Sequence, residues 1–245
     1  MITTWNAQKD KVNKLSCIQF ADDAKQALTT FYSCDTWAEY VNFEESKGKR
    51  RRCKKVKYNH SSTNIPEGDQ TMLWDLEHNA TEHAPGKLTL CIGMSVMIRY
   101  NIATELYITK GQEGTVAEWD SQARPYGKEI LETKFVKLTN PPKPIQLDGL
   151  PLNVIPIVKI ATSIKCQLFD DQVCNVDHLQ VPILPNFAMT DYASQGKTRP
   201  DNVVDQTNST SHQSYYTALS RSATAYSDEQ GCTRGCLDVL LHPYL

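Results

Sequence analysis

The 245-residue sequence contains no complete phosphate-binding loop. In the signature G-x-x-x-x-G-K-[ST], glycine backbone N–H groups wrap the phosphates and the lysine reaches the outer ones. Only its last three letters occur, Gly196-Lys197-Thr198 within "DYASQGKTRP". Asp191 stands where the first glycine belongs. A carboxylate there repels a triphosphate, and its Cβ resists the positive φ that glycine adopts easily. The tripeptide thus has three readings: a degenerate phosphate loop, a polar turn between two elements, or a segment with a different task.

Other absences narrow the function classes. No apolar run is long enough for a membrane-spanning helix and no amino-terminal signal peptide is visible, so no membrane partner is expected. The eight cysteines are dispersed, which predicts a reducing compartment, cytosol or nucleus. They form no paired C-x-x-C sets with neighbouring histidines, so no metal site is expected. The one close pair, Cys232 and Cys236, sits in a polar tail. No internal repeat is present. Neither charge sign dominates: 26 Lys and Arg face 28 Asp and Glu, a formal charge of −2.

What is present is a globular composition, 40% hydrophobic and 22% charged, with length for one or two domains. Charge is concentrated locally in "KGKRRRCKKVK", Lys47 to Lys57. Such a block binds polyanions whatever the average charge. It reads as a solvated flexible loop, a nuclear-import signal or a DNA-backbone contact.

The chain opens with a short β-branched run, Ile2 to Thr4, followed by Asn6 as a helix cap and by Val12, Leu15 and Ile18 at helical spacing. This predicts a strand and a helix of an α/β sheet. Lys47 to Gly68 has no apolar period and predicts a surface loop. In "KLTLCIGMSVMIRYN" the spacing predicts two strands around a turn at Gly93, and Gly111 and Gly114 supply a further turn. Residues from about 117 to 181 read as an all-β insert, with Ile164 and Cys166 alternating with polar residues and Asp170-Asp171 turning a hairpin toward Val173 and Val176. Ile183 to Met189 reads as a buried strand and Val203-Val204 as the next. Ser209 or Ser211 caps a helix with Tyr215, Ala218 and Leu219 on one face and Arg221 at its end. Tyr215 and Tyr216 are expected to pack, not to stack on bases.

Three landmarks follow one another: "ITTWNAQKD", "FAMTDYASQGKTRP" and "YYTALSRSATA". In that order they resemble motifs IV, V and VI of a superfamily 1 helicase, most closely the 5′-to-3′ translocating group of Helitron transposons and its petite-integration-frequency relatives. "LCIGMSVMIRYN" followed by "TKGQEGTV" resembles the stretch before the small β-barrel insert of that group. The resemblance runs from Met1 to about Ala225.

The resemblance implies an α/β fold: a second RecA-like helicase domain, sheet flanked by helices, with an inserted small β-barrel. Its segments would be residues 1–118, with a basic flexible loop at 47–68, the barrel at 119–180, the remainder with motifs V and VI at 181–225, and a divergent tail at 226–245. It implies that Gln195, Gly196 and Arg221 face the nucleotide, with Arg221 as the catalytic arginine finger. It implies that Ser194, Lys197 and Thr198 contact single-stranded DNA. These residue types suit those tasks: hydroxyl and ammonium donors meet phosphates, glycine permits close backbone approach, and a guanidinium stabilises charge developing in phosphoryl transfer. ATP and Mg2+ would be held mainly by an N-terminal RecA-like domain that the chain, beginning at Met1, is expected to lack. Trp5 departs from the pattern, standing where relatives place an arginine that helps hold the nucleotide. The expected function is the C-terminal portion of an ATP-dependent DNA helicase acting in the nucleus. The alternative is a non-enzymatic transposon-derived remnant that binds nucleic acid through its basic segments.

Overall fold

A two-residue strand cannot stand alone, so the opening Ile-Thr pair must find neighbours far along the chain. The computed structural model describes residues 1–47, 50–61, 64–76, 80–81, 84–124, 127–167, 173–199, 202–205, 209, 211–222, 226–227 and 233–234. It begins with β1 (Ile2–Thr3), α1 (Asn6–Asp23), β2 (Thr29–Tyr32), β3 (Cys34–Lys47), β4 (Arg50–His60) and α2 (Glu67–Trp74). Strands β5 (Lys87–Leu90), β6 (Ser95–Ile98), β7 (Glu113–Arg124), β8 (Lys128–Leu138), β9 (Val154–Val158), β10 (Ile160–Gln167) and β11 (Val173–Gln180) follow. The chain continues through β12 (Ile183–Pro185), β13 (Met189–Thr190), α3 (Asp191–Ser194), β14 (Val204–Asp205) and α4 (His212–Leu219). They pack as two compact units, one of Met1–Ala27, Met94–Met97 and Pro185–Leu245, the other of Leu28–Gly93 and Ile98–Leu184.

The first unit is the α/β part. β1 lies between β13 and β14, parallel to both, with Ile2 opposite Met189 and Val204, and Thr3 opposite Thr190 and Asp205. Ile2, Met189, Val204 and Ala218 form its small core. The sheet flanked by helices is thus the predicted one, but α1 presents a different face. Leu15 and Ile18 are exposed, and the buried positions are Lys9, Asn13, Cys17 and Ala21, four residues apart. Asn13 explains this choice. Its Nδ2 donates to the Ala188 carbonyl at 3.0 Å, and its Oδ1 accepts from the Phe187 and Ala188 amides at 3.0 and 2.8 Å. It satisfies the backbone leading into β13, and an aliphatic side chain would leave those groups unpaired at a cost of about 1–3 kcal/mol each. Trp5, not Asn6, is the residue preceding the first helical turn, and it makes no side-chain cap bond.

The second unit is all but entirely β. β10 and β11 form the expected hairpin from Ile160↔Gln180 to Gln167↔Val173, and β11 pairs β3 over Cys34–Trp37. The Asp170-Asp171 turn lies outside the described residues. In the other sheet β7, β8, β2 and β5 lie side by side in that order, β9 adds to β8, and the sheet is nearly closed and barrel-like. Buried Phe31, Leu88, Leu90, Leu131, Val136, Ile155 and Ile157 come from its strands. A polar hub joins α2 to the first sheet: Asp35 accepts from Ser33 Oγ at 3.0 Å and Gln70 Nε2 at 2.6 Å, and pairs with His178 Nδ1 at 2.5 Å, all buried.

Several expectations need correction. The β unit is wider than 119–180, because β2 pairs antiparallel with β5 and parallel with β8, drawing residues from Leu28 onward into the same sheet. Little more than Met1–Ala27 of the expected 1–118 segment therefore belongs to the α/β unit. Among its described residues the basic stretch is largely strand: β4 pairs β3 from Trp37↔His60 to Lys47↔Arg50, and Glu67 already begins α2. Its sequence has no period of apolar residues, the signal by which a strand is read. β5 and β6 are not hairpin partners, since β5 pairs β2. Gly111 does take a positive φ of +87°, but Gly114 is a packing glycine, where a Cβ would meet Val136 Cγ1 at 2.5 Å. The tail beyond Ala225 lies outside the described residues except for a short pairing of Tyr226–Ser227 with Thr233–Arg234.

Candidate nucleic-acid interface

In parallel α/β sheets, ligands gather at the carboxyl ends of the strands, where chain segments diverge. β13 ends there and leads directly into α3. Thr190 Oγ1 caps the helix by accepting from the Ala193 amide at 3.3 Å. α3 closes after one turn because Ser194 Oγ donates to the Asp191 carbonyl at 2.6 Å and the Lys197 amide donates to the Ser194 carbonyl at 3.0 Å. Gly196 takes φ +78°, a left-handed value that a residue with a Cβ adopts only with strain, and the space beside it is open.

This turn sorts the predicted residues. Gln195, Gly196 and Thr198 are exposed and Lys197 is half-buried, its Nζ 3.7 Å from Met97 Sδ. Ser194 is fully buried with its hydroxyl committed to the turn, so in this conformation it shapes the site and does not face solvent.

Two ties join the turn to α4. Asp191 is buried; its Oδ1 accepts from the Tyr192 amide at 2.8 Å and its Oδ2 from Ser214 Oγ at 2.5 Å. Ser214 lies in the first turn of α4, and of the two expected caps, Ser209 and Ser211, it is Ser211 that accepts from the Ser214 amide at 3.1 Å. At the other end the Arg199 amide donates to the Arg221 carbonyl at 2.7 Å, and Asn202 Nδ2 donates to Ala218 O and Ser222 Oγ at 2.9 and 3.2 Å. Arg221 is half-buried. Its Nη2 donates to Ser220 Oγ at 2.7 Å, while its Nε is buried with no partner among the described residues. A guanidinium with an unspent buried donor is suited to an incoming anion.

Sequence reasoning missed Asp191 and Ser214. Asp191 entered it only as an obstacle to a phosphate loop, and no local pattern marks a bond across 23 residues. Tyr215 and Tyr216, expected to pack, are 40% and 73% exposed, because Ala218 is the position α4 buries.

The sequence has no phosphate loop, and among the described residues no three His, Cys, Asp or Glu side chains cluster to hold a metal. Among the same residues, no helix is long and apolar enough to cross a membrane.

No family model matches the sequence, and no curated protein matches it. The fold, by contrast, has solved counterparts. The Pif1 helicase from Candida albicans superposes with a TM-score of 0.50 at 17% identity, over 91% of this chain and 43% of that one. Bacteroides Pif1 bound to ssDNA gives 0.49 at 18% identity, and its complex with ADP-AlF3 and ssDNA 0.49 at 19%, each over 91% of this chain and 38% of that one. The chain thus spans less than half the length of the helicases it is similar to. Its fold is therefore similar to that of part of the Pif1 helicase from Candida albicans.

Proposed function

We propose that this chain is the C-terminal portion of an ATP-dependent DNA helicase, which couples ATP hydrolysis to 5′-to-3′ movement along single-stranded DNA when joined to an N-terminal RecA-like domain. That domain would hold ATP and Mg2+. Lys197 and Thr198 contact the DNA backbone, with Ser194 setting the turn that presents them. Gln195 and Gly196 face the nucleotide cleft, and Arg221 brings positive charge to the phosphate being transferred. The observation that carries this reading is the Arg199–Arg221 backbone hydrogen bond, which links the exposed turn to the arginine two residues beyond α4. A strand pulling on the turn thereby acts on the group that meets the nucleotide. The Helitron-type origin and the nuclear location belong to the same proposal and rest on the motif resemblance and the basic segment.

Two measurements test it. Transcript sequencing upstream of Met1 is expected to reveal an in-frame phosphate loop and an acidic metal-binding motif; stop codons there would remove the enzymatic reading. In the extended protein, Arg221→Ala should lower DNA-stimulated ATP turnover by on the order of 10³ while leaving DNA affinity unchanged.

A second reading, nucleic-acid binding without ATP hydrolysis, is favoured by one observation. Beyond Trp37, β3 pairs only with β4 among the described pairings, so Ala38–Lys47 and Arg50–Asn59 form a two-stranded ribbon about 30 Å long. Its second strand carries Arg50, Arg51, Arg52, Lys54, Lys55 and Lys57. A two-stranded ribbon fits the DNA major groove. Affinity for random-sequence duplex that stays constant as salt is raised would exclude this role.

A further inference from the structure

Four large aromatic side chains of the α/β unit lie open to solvent: Trp5 at 53%, Tyr192 at 74%, Tyr215 at 40% and Tyr216 at 73% exposure. Aromatic rings lose the most by staying wet, so such a group calls for an explanation. The strand register brings them to one edge. β1 and β13 are parallel neighbours with Thr3 opposite Thr190, so their ends are level and about 4.8 Å apart. Trp5 follows Thr3 by two residues and Tyr192 follows Thr190 by two. The Ser214 Oγ–Asp191 Oδ2 bond of 2.5 Å then draws the first turn of α4 to α3, and Tyr215 and Tyr216 directly follow Ser214. None of the four has an aromatic partner among the described ring pairs.

We propose that Trp5, Tyr192 and Tyr216, with Tyr215 beside them, form a stacking platform for the unpaired bases of a single nucleic-acid strand whose phosphates meet Lys197 and Thr198. This rests on the DNA-contact reading above and adds base contact to it. The chemistry favours this occupant over a protein surface. The open side chains are aromatic, and Lys197 and Thr198 offer ammonium and hydroxyl donors within a few residues of Tyr192. Bases present π-faces only when unpaired, so the platform selects single strands over duplex, and stacking tolerates any base.

The test uses the full chain and three probes of equal length: an oligo-dT strand, a strand of abasic residues with the same phosphates, and a duplex. Fluorescence anisotropy should give oligo-dT an affinity at least about tenfold above the abasic strand. Tyr192→Ala should lower oligo-dT affinity about tenfold, leave abasic affinity and the salt dependence unchanged, and be rescued by Tyr192→Phe. Lys197→Ala should instead weaken all strands and reduce the salt slope by about 1. All of these positions are exposed or half-buried, and an unchanged thermal melt checks each fold. Equal affinity for oligo-dT and the abasic strand overturns the platform while leaving phosphate contact intact. Binding to neither strand overturns the DNA reading itself, and the platform with it. If Tyr192→Ala spares DNA binding but abolishes DNA-stimulated ATP turnover in the extended protein, the rings serve an interdomain contact and the platform is wrong.

Discussion

Lys134 is fully buried on β8, its Nζ 4.1 Å from the centre of the Trp119 ring and with no hydrogen-bond partner among the described residues. Burial pushes its pKa down from 10.5 to about 7, against a weaker opposing effect of Cys91. The unfolded chain therefore binds a proton that the native state refuses between those two values, so stability rises with pH across that window and levels off below about 7. Lys134→Met should stabilise the protein at neutral pH and flatten the rise, by on the order of 3 to 5 kcal/mol over the full window, as urea melts at several pH values would measure. At Gly196 the strain has the opposite sign: Gly196→Ala imposes a Cβ at φ +78°, costing about 1 kcal/mol in thermal melts. Because the space around it is open, the loss comes from the backbone and not from a clash.

At the scale of elements, α3 and α4 are clamped by Asp191–Ser214 at one end and Arg199–Arg221 at the other. Ser214→Ala removes a hydrogen bond to a buried carboxylate and should cost about 1.5–3 kcal/mol. A structural role alone predicts only that loss. A coupling role predicts, in addition, that in the extended protein DNA no longer accelerates ATP turnover although DNA affinity is preserved, and Ser214→Thr, which keeps the hydroxyl, should restore the coupling. Comparing DNA-stimulated and basal turnover separates the two. The basic ribbon is a second element with its own signature. Lys54→Ser with Lys55→Ser should reduce the slope of log affinity against log salt by about 0.7 to 0.9 for each phosphate no longer neutralised. A slope unchanged by the double substitution would leave the ribbon without a DNA role.

At the scale of the whole molecule, the two units place different demands on the chain. The α/β unit is a short parallel sheet built from segments nearly 190 residues apart, Ile2–Thr3 and Met189–Thr190, so its pairing closes a long loop. Long-range closure of this kind slows folding. The β unit has its own cores, one around Trp37, Ile65, Leu73 and Ile164. Expressed alone as Leu28–Leu184, it should therefore show a cooperative thermal transition and dispersed NMR amide shifts. A molten, non-cooperative profile would mean that its stability depends on the α/β unit.

The opening strand and helix, the hairpin between Ile164 and Val176, a serine cap at Ser209 or Ser211 and the Gly196 turn were legible in the sequence, because each depends on local chemistry: turn conformation, strand alternation or a side chain bonding its own neighbours; the helicase-like fold was reached through the motif resemblance. Tertiary structure alone decided the rest. The buried face of α1 follows Asn13 and not Leu15, since what counts is satisfying the backbone at Phe187 and Ala188. The wide limits of the β unit follow from β2 joining β5 and β8. The ribbon follows from partners that a charged strand finds without an apolar period. The Asp191–Ser214 clamp and the aromatic edge arise where parallel strands end level, and long-range register of this kind has no local imprint in the order of the residues.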